Sequence, residues 1–549
     1  MNPTQPRPVL LCSNMYMESV LETFRWLFDS RRGPRSGFLA RWLFLRALGA
    51  IYFSAFLALV FQIKGLIGPN GIEPAGQYLA AVGRAFGTWK VWEAPSLFWF
   101  SSGSSMMTLV AWLGLLAAIA AFLNLWPRLS FLICFVCFLS FVTAANDFSG
   151  YQSDGMLLEA GFLALFFCPP GLRPGLAADH PPARASLFLL LWEWFRIYFE
   201  SGMVKMLSGD PQWRNLTAMH EYYQNGPLPT WIGWYIGHFP HWFHVTTTAG
   251  TLLLEFGIVL LLFFGRRARL ICFLIVTPWE FGVIFTANYA FLNYLVLSLG
   301  FLLLDDRYLR RIVPARFAAR FLSQPGQVKL SGEEPDPSEL TETPAWRNRL
   351  SSIKFSIATV MLAWIAYATT YEMAAMVMPM IPLPAGPASA LQPSRIANQY
   401  GLFAVMTRAR YEIEFQGSDD GHDWQPYIFR FKPQALNEAP GIYAPYQPRF
   451  DWNLWFASLA DPEQDNIVPA TEAHLLDNDP DVLSLFRENP FAAKPLRFIR
   501  AVRWQYWFTS MEEKGRTGNW WRREEIGLYG NVYTRDADGQ VIVADPASM

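Results

Sequence analysis

A series of apolar runs, each long enough to cross a bilayer as a helix, constrains this chain more than any other feature. A hydrocarbon core takes about 20 such residues in helical form. Candidate spans run Phe38–Ile63, Met106–Trp126, Leu129–Ala145, Thr246–Phe264, Leu270–Ala287, Tyr289–Leu304 and Phe355–Met378. Two further runs are shorter or more polar. Gly155–Cys168 contains Glu159, and Ser186–Leu207 contains Glu193, Arg196, Glu200 and Lys205. The expected architecture is a polytopic α-helical membrane protein of about nine spans. The 549 residues agree with it, because only 16% are charged, below the roughly 25% of soluble domains. Lys and Arg number 44 against 45 Asp and Glu, so no basic excess exists to hold nucleic acid. The polar, arginine-bearing start lacks a small-residue cleavage site after the first apolar run, so that run is read as a retained span.

Basic residues predict the orientation. Arg31, Arg32, Arg35 and Arg41 flank the first span. With nine crossings, Arg128, Arg173, Arg184, the run Gly265-Arg266-Arg267-Ala268-Arg269, and Arg310, Arg311, Arg316 and Arg320 all fall on the same, cytoplasmic side. The expected organisation follows. Residues 1–37 are a cytoplasmic segment, and 38–304 form a multispanning membrane domain with an exported loop at 208–245. Residues 305–354 are a cytoplasmic linker, flexible over 323–348; 355–378 form the last transmembrane helix, and 385–549 an exported domain.

That domain has the texture of a soluble α+β fold with a β-sandwich-like sheet. Tyr411-Glu-Ile-Glu-Phe-Gln alternates polar and apolar residues, Ser418-Asp-Asp-Gly-His turns, and Tyr427-Ile-Phe-Arg-Phe returns, which predicts a hairpin. Arg497–Thr509 alternates again, and Trp520–Tyr529 is its expected partner. Trp452–Leu459 and Pro480–Arg487 read as helices.

Charge inside a membrane costs about 2.5–3.5 kcal/mol per residue by insertion scales. Glu193, Arg196 and Glu200 share one face of the fifth span, and Glu255 and Glu280 lie in later spans. Either Arg196 neutralises Glu193 or Glu200 and ties the bundle together, or these groups line a polar cavity that binds a ligand or moves a proton. The following loop carries Trp213, His220, Tyr222 and Tyr223, then His238, His241 and His244. A spacing of three drifts around a helix, so the last three histidines are a weak metal set, and aromatic and histidine residues are ordinary at a membrane boundary. No cofactor is expected. Cys134 and Cys137 have redox spacing, but within Phe131-Leu-Ile-Cys-Phe-Val-Cys-Phe they read as small packing residues. No cysteine lies beyond Cys272, which excludes a disulfide within the exported domain. No nucleophile elbow, phosphate loop, zinc-protease or dinucleotide motif is present in a credible setting.

Several long motifs in fixed order carry a resemblance. Gly202-Met-Val-Lys205, Asp210-Pro-Gln-Trp213-Arg214-Asn-Leu216-Thr217, Gln224-Asn-Gly-Pro227-Leu-Pro229 and Trp242-Phe243-His244 lie in and around the exported loop. Gly265-Arg266-Arg267, Asn288-Tyr-Ala-Phe-Leu-Asn293-Tyr and Asp305-Asp306 follow. Pro445-Tyr-Gln-Pro-Arg-Phe-Asp451-Trp452-Asn-Leu-Trp455-Phe-Ala, Asn489-Pro490-Phe491 and Trp520-Trp521-Arg522-Arg523 lie in the last domain. Together they resemble the lipase maturation factor family over roughly residues 40–310 and 400–530. The resemblance implies a multispanning protein whose soluble domain faces the lumen and assists folding and assembly of exported proteins such as secreted lipases. The chain ends Ala-Ser-Met rather than in an endoplasmic-reticulum retrieval signal, so the expected location is a bacterial inner membrane with a periplasmic domain, or the ER membrane if the source is eukaryotic. The membrane block is also distantly similar to the horizontally transferred transmembrane family that includes vitamin K-dependent γ-carboxylase. It departs where Met206 follows Lys205; snorkelling at the span end would keep that lysine charged, so carboxylase chemistry is not expected.

The leading expectation is therefore a membrane-embedded maturation factor that holds an exported client, such as a lipase, through Trp213, Tyr222, Tyr223, Trp452, Trp455, Trp520 and Trp521. For any one of these, filling the chain's own core is the competing role. The rival is a membrane enzyme acting on a lipid or quinone through Glu193, Arg196, Glu200, Lys205 and His220.

Overall fold

The computed structural model describes Ser19 and residues 22–312, 345–492 and 496–545. Cys12 and most of the expected flexible linker lie outside the described residues. The principal helices are α1 (Phe38–Ile67), α2 (Ser104–Phe122), α3 (Pro127–Ala144), α4 (Gln152–Phe167), α5 (Arg184–Leu207), α6 (Ala218–Asn225), α7 (His241–Phe256), α8 (Arg266–Thr286), α9 (Leu292–Gly300) and α10 (Ala345–Val377). In the soluble domain they are α11 (Arg449–Leu459) and α12 (Ile467–Leu476).

Six helices among the described residues are long and apolar enough to cross a membrane: α1, α2, α3, α7 with its 3-10 extension to Phe263, α8, and α10 from Ser351. The other three expected spans are helical too, but α4 has 16 residues and α9 has 9, and α5 carries the polar cluster. α10 begins at Ala345 rather than near Phe355, and Asp306–Ile312 is also helical, so both described ends of the expected linker are structured.

Small residues let these helices approach closely, as in membrane bundles generally. Gly114 of α2 lies against the ring of Phe56, and Gly161 of α4 against the hydroxyl of Tyr52, which donates to the Leu157 carbonyl at 2.9 Å. A Cβ at either glycine would clash with those α1 side chains.

Hydrogen bonds identify two ends of the bundle. At one, the Phe38 and Leu39 N–H groups donate to the Asp306 carboxylate at 3.0 and 2.9 Å. There too Arg41 donates to the Leu176, Ala177 and His180 carbonyls, Arg184 to the Trp26 and Arg32 carbonyls, and Arg266 pairs with Asp305 at 3.3 Å. This is the basic end. At the other, Gln62 donates to the Gln447 carbonyl at 2.9 Å, Asn288 to the Gly441 carbonyl at 2.9 Å, and Trp234 to the Trp520 carbonyl at 3.1 Å. The soluble domain sits on this end.

The domain is one six-stranded antiparallel layer covered by α11 and α12, rather than two stacked sheets. Its strands are β1 (Arg410–Ser418), β2 (Gln425–Pro426), β3 (Phe498–Phe508), β4 (Trp521–Leu528), β5 (Tyr533–Arg535) and β6 (Val541–Val543), in the order β2-β1-β3-β5-β6, with β4 also pairing β3. The expected partnership of Trp520–Tyr529 with Arg497–Thr509 is present. The expected hairpin is also present but short: β2 returns antiparallel on β1, with Gln425 opposite Gly417 and Pro426 opposite Gln416, while the other edge of β1 pairs along its length with β3, from Arg410 opposite Tyr506 to Ser418 opposite Phe498. The Tyr427 N–H still donates to the Phe415 carbonyl at 2.9 Å; beyond it the return strand leaves the ladder, and side chains take the N–H groups. Gln434 accepts from Phe429 at 3.0 Å, and Asp451 accepts from Phe431 and Lys432 at 3.0 Å each. The expected helix Pro480–Arg487 shrinks to Pro480–Leu483.

Candidate functional site: a polar dock and an apolar cavity

The expected intramembrane cluster forms, but with a different pairing. Arg196, Glu193 and Glu200 are fully buried. Arg196 joins neither neighbour as its main partner. It pairs with Glu159 of α4 and donates to the Asn398 carbonyl at 2.6 Å, while Glu200 lies 3.9 Å away. The Glu159 carboxylate also accepts from the Asn398 N–H at 3.1 Å and the Tyr400 hydroxyl at 2.8 Å. Glu200 accepts from the Tyr400 N–H at 2.6 Å. The cluster therefore anchors the segment that leads into the soluble domain. Neither Glu193 oxygen has a hydrogen-bond partner.

Two more buried arginines complete the dock. Arg449, at the start of α11, grips both oxygens of Asp154 in α4, at 2.7 and 2.8 Å, and donates to the Phe148 carbonyl at 2.7 Å. This fork matches guanidinium geometry to carboxylate geometry. Arg410, at the start of β1, donates to the Gln224, Gly226 and Pro227 carbonyls and pairs with Glu412, and Lys432 holds the other Glu412 oxygen at 2.8 Å. Asp210 accepts from the Met406 N–H at 2.8 Å. Losing one partner of such a pair strands a charge in a dry interior, at a cost of about 3–5 kcal/mol.

The aromatic residues expected to touch a client mostly serve this dock. Trp213, Tyr222, Tyr223, Trp452, Trp455 and Trp521 are buried. Trp213 donates to the Phe403 carbonyl at 3.0 Å and Trp455 to the Asn225 carbonyl at 3.1 Å, each crossing between membrane block and domain. Of the seven, Trp520 alone is partly exposed. It lies under the Lys514 ammonium and edge-on to Trp234 and Tyr235. Tyr235 beside it, and Trp231 packed on Tyr235, are exposed.

The histidines sort differently from their sequence spacing. His238 is held between the Trp234 and Thr509 carbonyls at 2.7 and 2.9 Å. His220 instead meets His241, with ring nitrogens 2.9 Å apart, and His244, with ring centres 4.6 Å apart. Partial burial and the neighbouring His241 hold His220 below the ordinary histidine pKa. No group of three or more His, Cys, Asp or Glu among the described residues is placed to hold a metal ion. Cys134, Cys137, Cys168 and Cys272 are free and buried.

Lys205 is not snorkelled. It is buried, pairs with Glu255 at 2.6 Å, and lies over the Trp213 ring, 5.0 Å from its centre. The pair borders a cavity of about 460 Å³ between α5, α7, α8 and α9, closed toward the domain by Leu402 and Phe403. Its wall is largely apolar. A second polar patch is Glu280, which accepts from the Tyr198 hydroxyl at 2.6 Å and from Asn293 at 2.5 Å. Sequence reasoning missed Asp154, Arg410, Arg449 and Asn398. Only the Pro-Arg-Phe-Asp-Trp motif around Arg449 offered a signal.

Comparison with known proteins agrees with this two-part architecture. Residues 39–311 match the profile described as Lipase maturation factor transmembrane domain, and residues 396–531 match Lipase maturation factor C-terminal domain. Lipase maturation factor 2 of Homo sapiens is 29% identical over 583 residues, covering 89% of this chain and 82% of that protein. Lipase maturation factor 1 of Bos taurus is 29% identical over 512 residues, covering 89% and 88%. Lipase maturation factor 2 of Gallus gallus is 30% identical over 576 residues, covering 88% and 80%. No solved structure matches the chain.

Proposed function

Because the chain belongs to the lipase maturation factor family, we propose that this integral membrane protein supports the maturation of an exported lipase-class client, with its soluble domain on the exported side. The observation that carries the reading is the separation of ends. Arg41, Arg184 and Arg266 cluster at one end of the bundle, and the domain is docked on the other through Gln62, Asn288 and Trp234. Arginine-bearing loops stay cytoplasmic, which leaves the domain in the periplasm or lumen. The client-facing surface is the aromatic tract of exposed Trp231 and Tyr235 and partly exposed Trp520 at the junction of domain and membrane, where a nascent exported chain meets both. Four of the five residues of the rival enzymatic reading are otherwise engaged, Arg196 and Glu200 in the dock, Lys205 with Glu255 and His220 with His241, and the fifth, Glu193, is fully buried.

Deleting the gene and assaying exported lipase tests this. Lipase protein should persist while its specific activity falls several-fold, and the wild-type gene should restore it. Unchanged specific activity across the host's exported lipases would refute the client assignment. Protease added to sealed vesicles of known sidedness tests the orientation separately: the domain should be cut only from the exported side.

A further inference from the structure

The cavity bounded by α5, α7, α8 and α9 has a mouth on the outer face of the bundle. Ile275 and Gly282 of α8 both line the cavity and are exposed, and a Cβ at Gly282 would meet open space. Around them Leu253, Leu274, Phe281 and Phe285 are exposed apolar side chains on helices long enough to span a bilayer. The opening therefore faces hydrocarbon rather than water. Pro278 lies in the same wall. Proline carries no N–H, so the helix loses a hydrogen bond there and cannot close into a tight seam.

At about 30 Å³ per water-sized group, a cavity of about 460 Å³ takes about 15 methylene-sized groups, which is one long hydrocarbon chain. The polar groups select its head. Lys205 and Glu255 cancel in charge. Glu280 already receives two hydrogen bonds, while the second Glu255 oxygen is buried without a partner. The lysine is thus already paired and offers no free cation to an anionic head, and an uncharged head costs least to bury beside it.

We propose that this cavity binds an uncharged single-chain lipid of the monoacylglycerol type, its chain entering from the bilayer between α7 and α8. The proposal stands independently of the client assignment.

The test uses the full chain in phosphatidylcholine nanodiscs with three photoreactive lipids: a diazirine monoacylglycerol, the fatty acid of the same chain, and diazirine phosphatidylcholine. The monoacylglycerol should label peptides 247–255 and 275–283 saturably, at least tenfold more than the fatty acid at neutral pH. Unlabelled monoacylglycerol should compete; excess phosphatidylcholine should not. Thr251→Trp, which fills the cavity, should abolish that labelling. Gly282→Leu, which narrows the mouth in open space, should reduce it severalfold with unchanged thermal unfolding, and it decides the matter if the tryptophan variant does not accumulate. Equal labelling by all three lipids, or labelling that both variants leave intact, would overturn the proposal. Preference for the fatty acid would overturn the assignment of a neutral head.

Discussion

The two halves of the membrane block are built to opposite rules. In the first, two-thirds of the apolar stretches of α1 and α3 and 44% of that of α2 are buried, against a third for α7 and less than a quarter for α8. The first half is closed by glycine contacts and by buried ion pairs, Asp154 with Arg449 of the domain and Glu159 with Arg196 of α5. The second half leaves a cavity, and the ion pair of Lys205 with Glu255 sits at the cavity's edge. The difference teaches where stability and adaptability lie. The packed half fixes the domain as one body with the bundle, and the open half remains free to admit hydrocarbon.

Substitutions at matched sites sharpen this contrast. The largest effect is expected at Arg196→Leu, which strands Glu159 and Glu200 in the dock. It should cost about 3–5 kcal/mol, read as loss of accumulated protein or a large drop in the thermal midpoint in detergent. A normal midpoint would remove Arg196 from the dock.

A pH effect of at most about 3 kcal/mol is expected from Asp451. Burial raises its carboxyl to about 6 against the backbone N–H groups of Phe431 and Lys432 that favour its charge. The folded state therefore holds a proton that the unfolded chain has released. This stabilisation is full below about pH 4 and is lost as the pH rises through about 6. Asp451→Asn cannot ionise, so its midpoint should fall less than that of the wild type across that interval. Parallel pH curves for the two proteins would contradict the assignment.

Glycine substitutions give the smaller contrast. Gly161→Ala drives a methyl group into the Tyr52 hydroxyl and should cost about 1–3 kcal/mol. Gly282→Ala meets nothing within 4 Å and, in a helix interior, should leave stability unchanged or raise it by up to about 1 kcal/mol. Equal costs at the two sites would erase the distinction between the halves.

The sequence made one half of this structure more legible than the other. Apolar runs marked each principal membrane helix, because burial in hydrocarbon imposes length and composition locally. The α+β texture of the last domain was legible from alternation in β1, β3 and β4. Pairing across distance was not. Glu193 and Glu200 are helical neighbours of Arg196, yet Glu159 of another helix is its partner, and nothing in the intervening residues signals that choice. Asp154 and Arg449 likewise lie in different domains. Aromatic side chains misled for a related reason. Tryptophan beside a membrane suits a client surface and an internal seam equally, and burial of Trp213 against the Phe403 carbonyl and of Trp455 against the Asn225 carbonyl is visible only once the domain is docked. The histidines failed on geometry: His220, outside the spaced triplet, folds back beside His241 and His244, while His238 turns away.

A double-mutant cycle at Asp154 and Arg449 tests most directly that domain and bundle form one body. Asp154→Leu and Arg449→Met should each lower stability by about 3–5 kcal/mol, because each leaves the other charge buried, and the double variant should recover most of that loss. Additive losses, or single variants indistinguishable from the wild type, would show that the domain does not rest on this pair and would contradict the account.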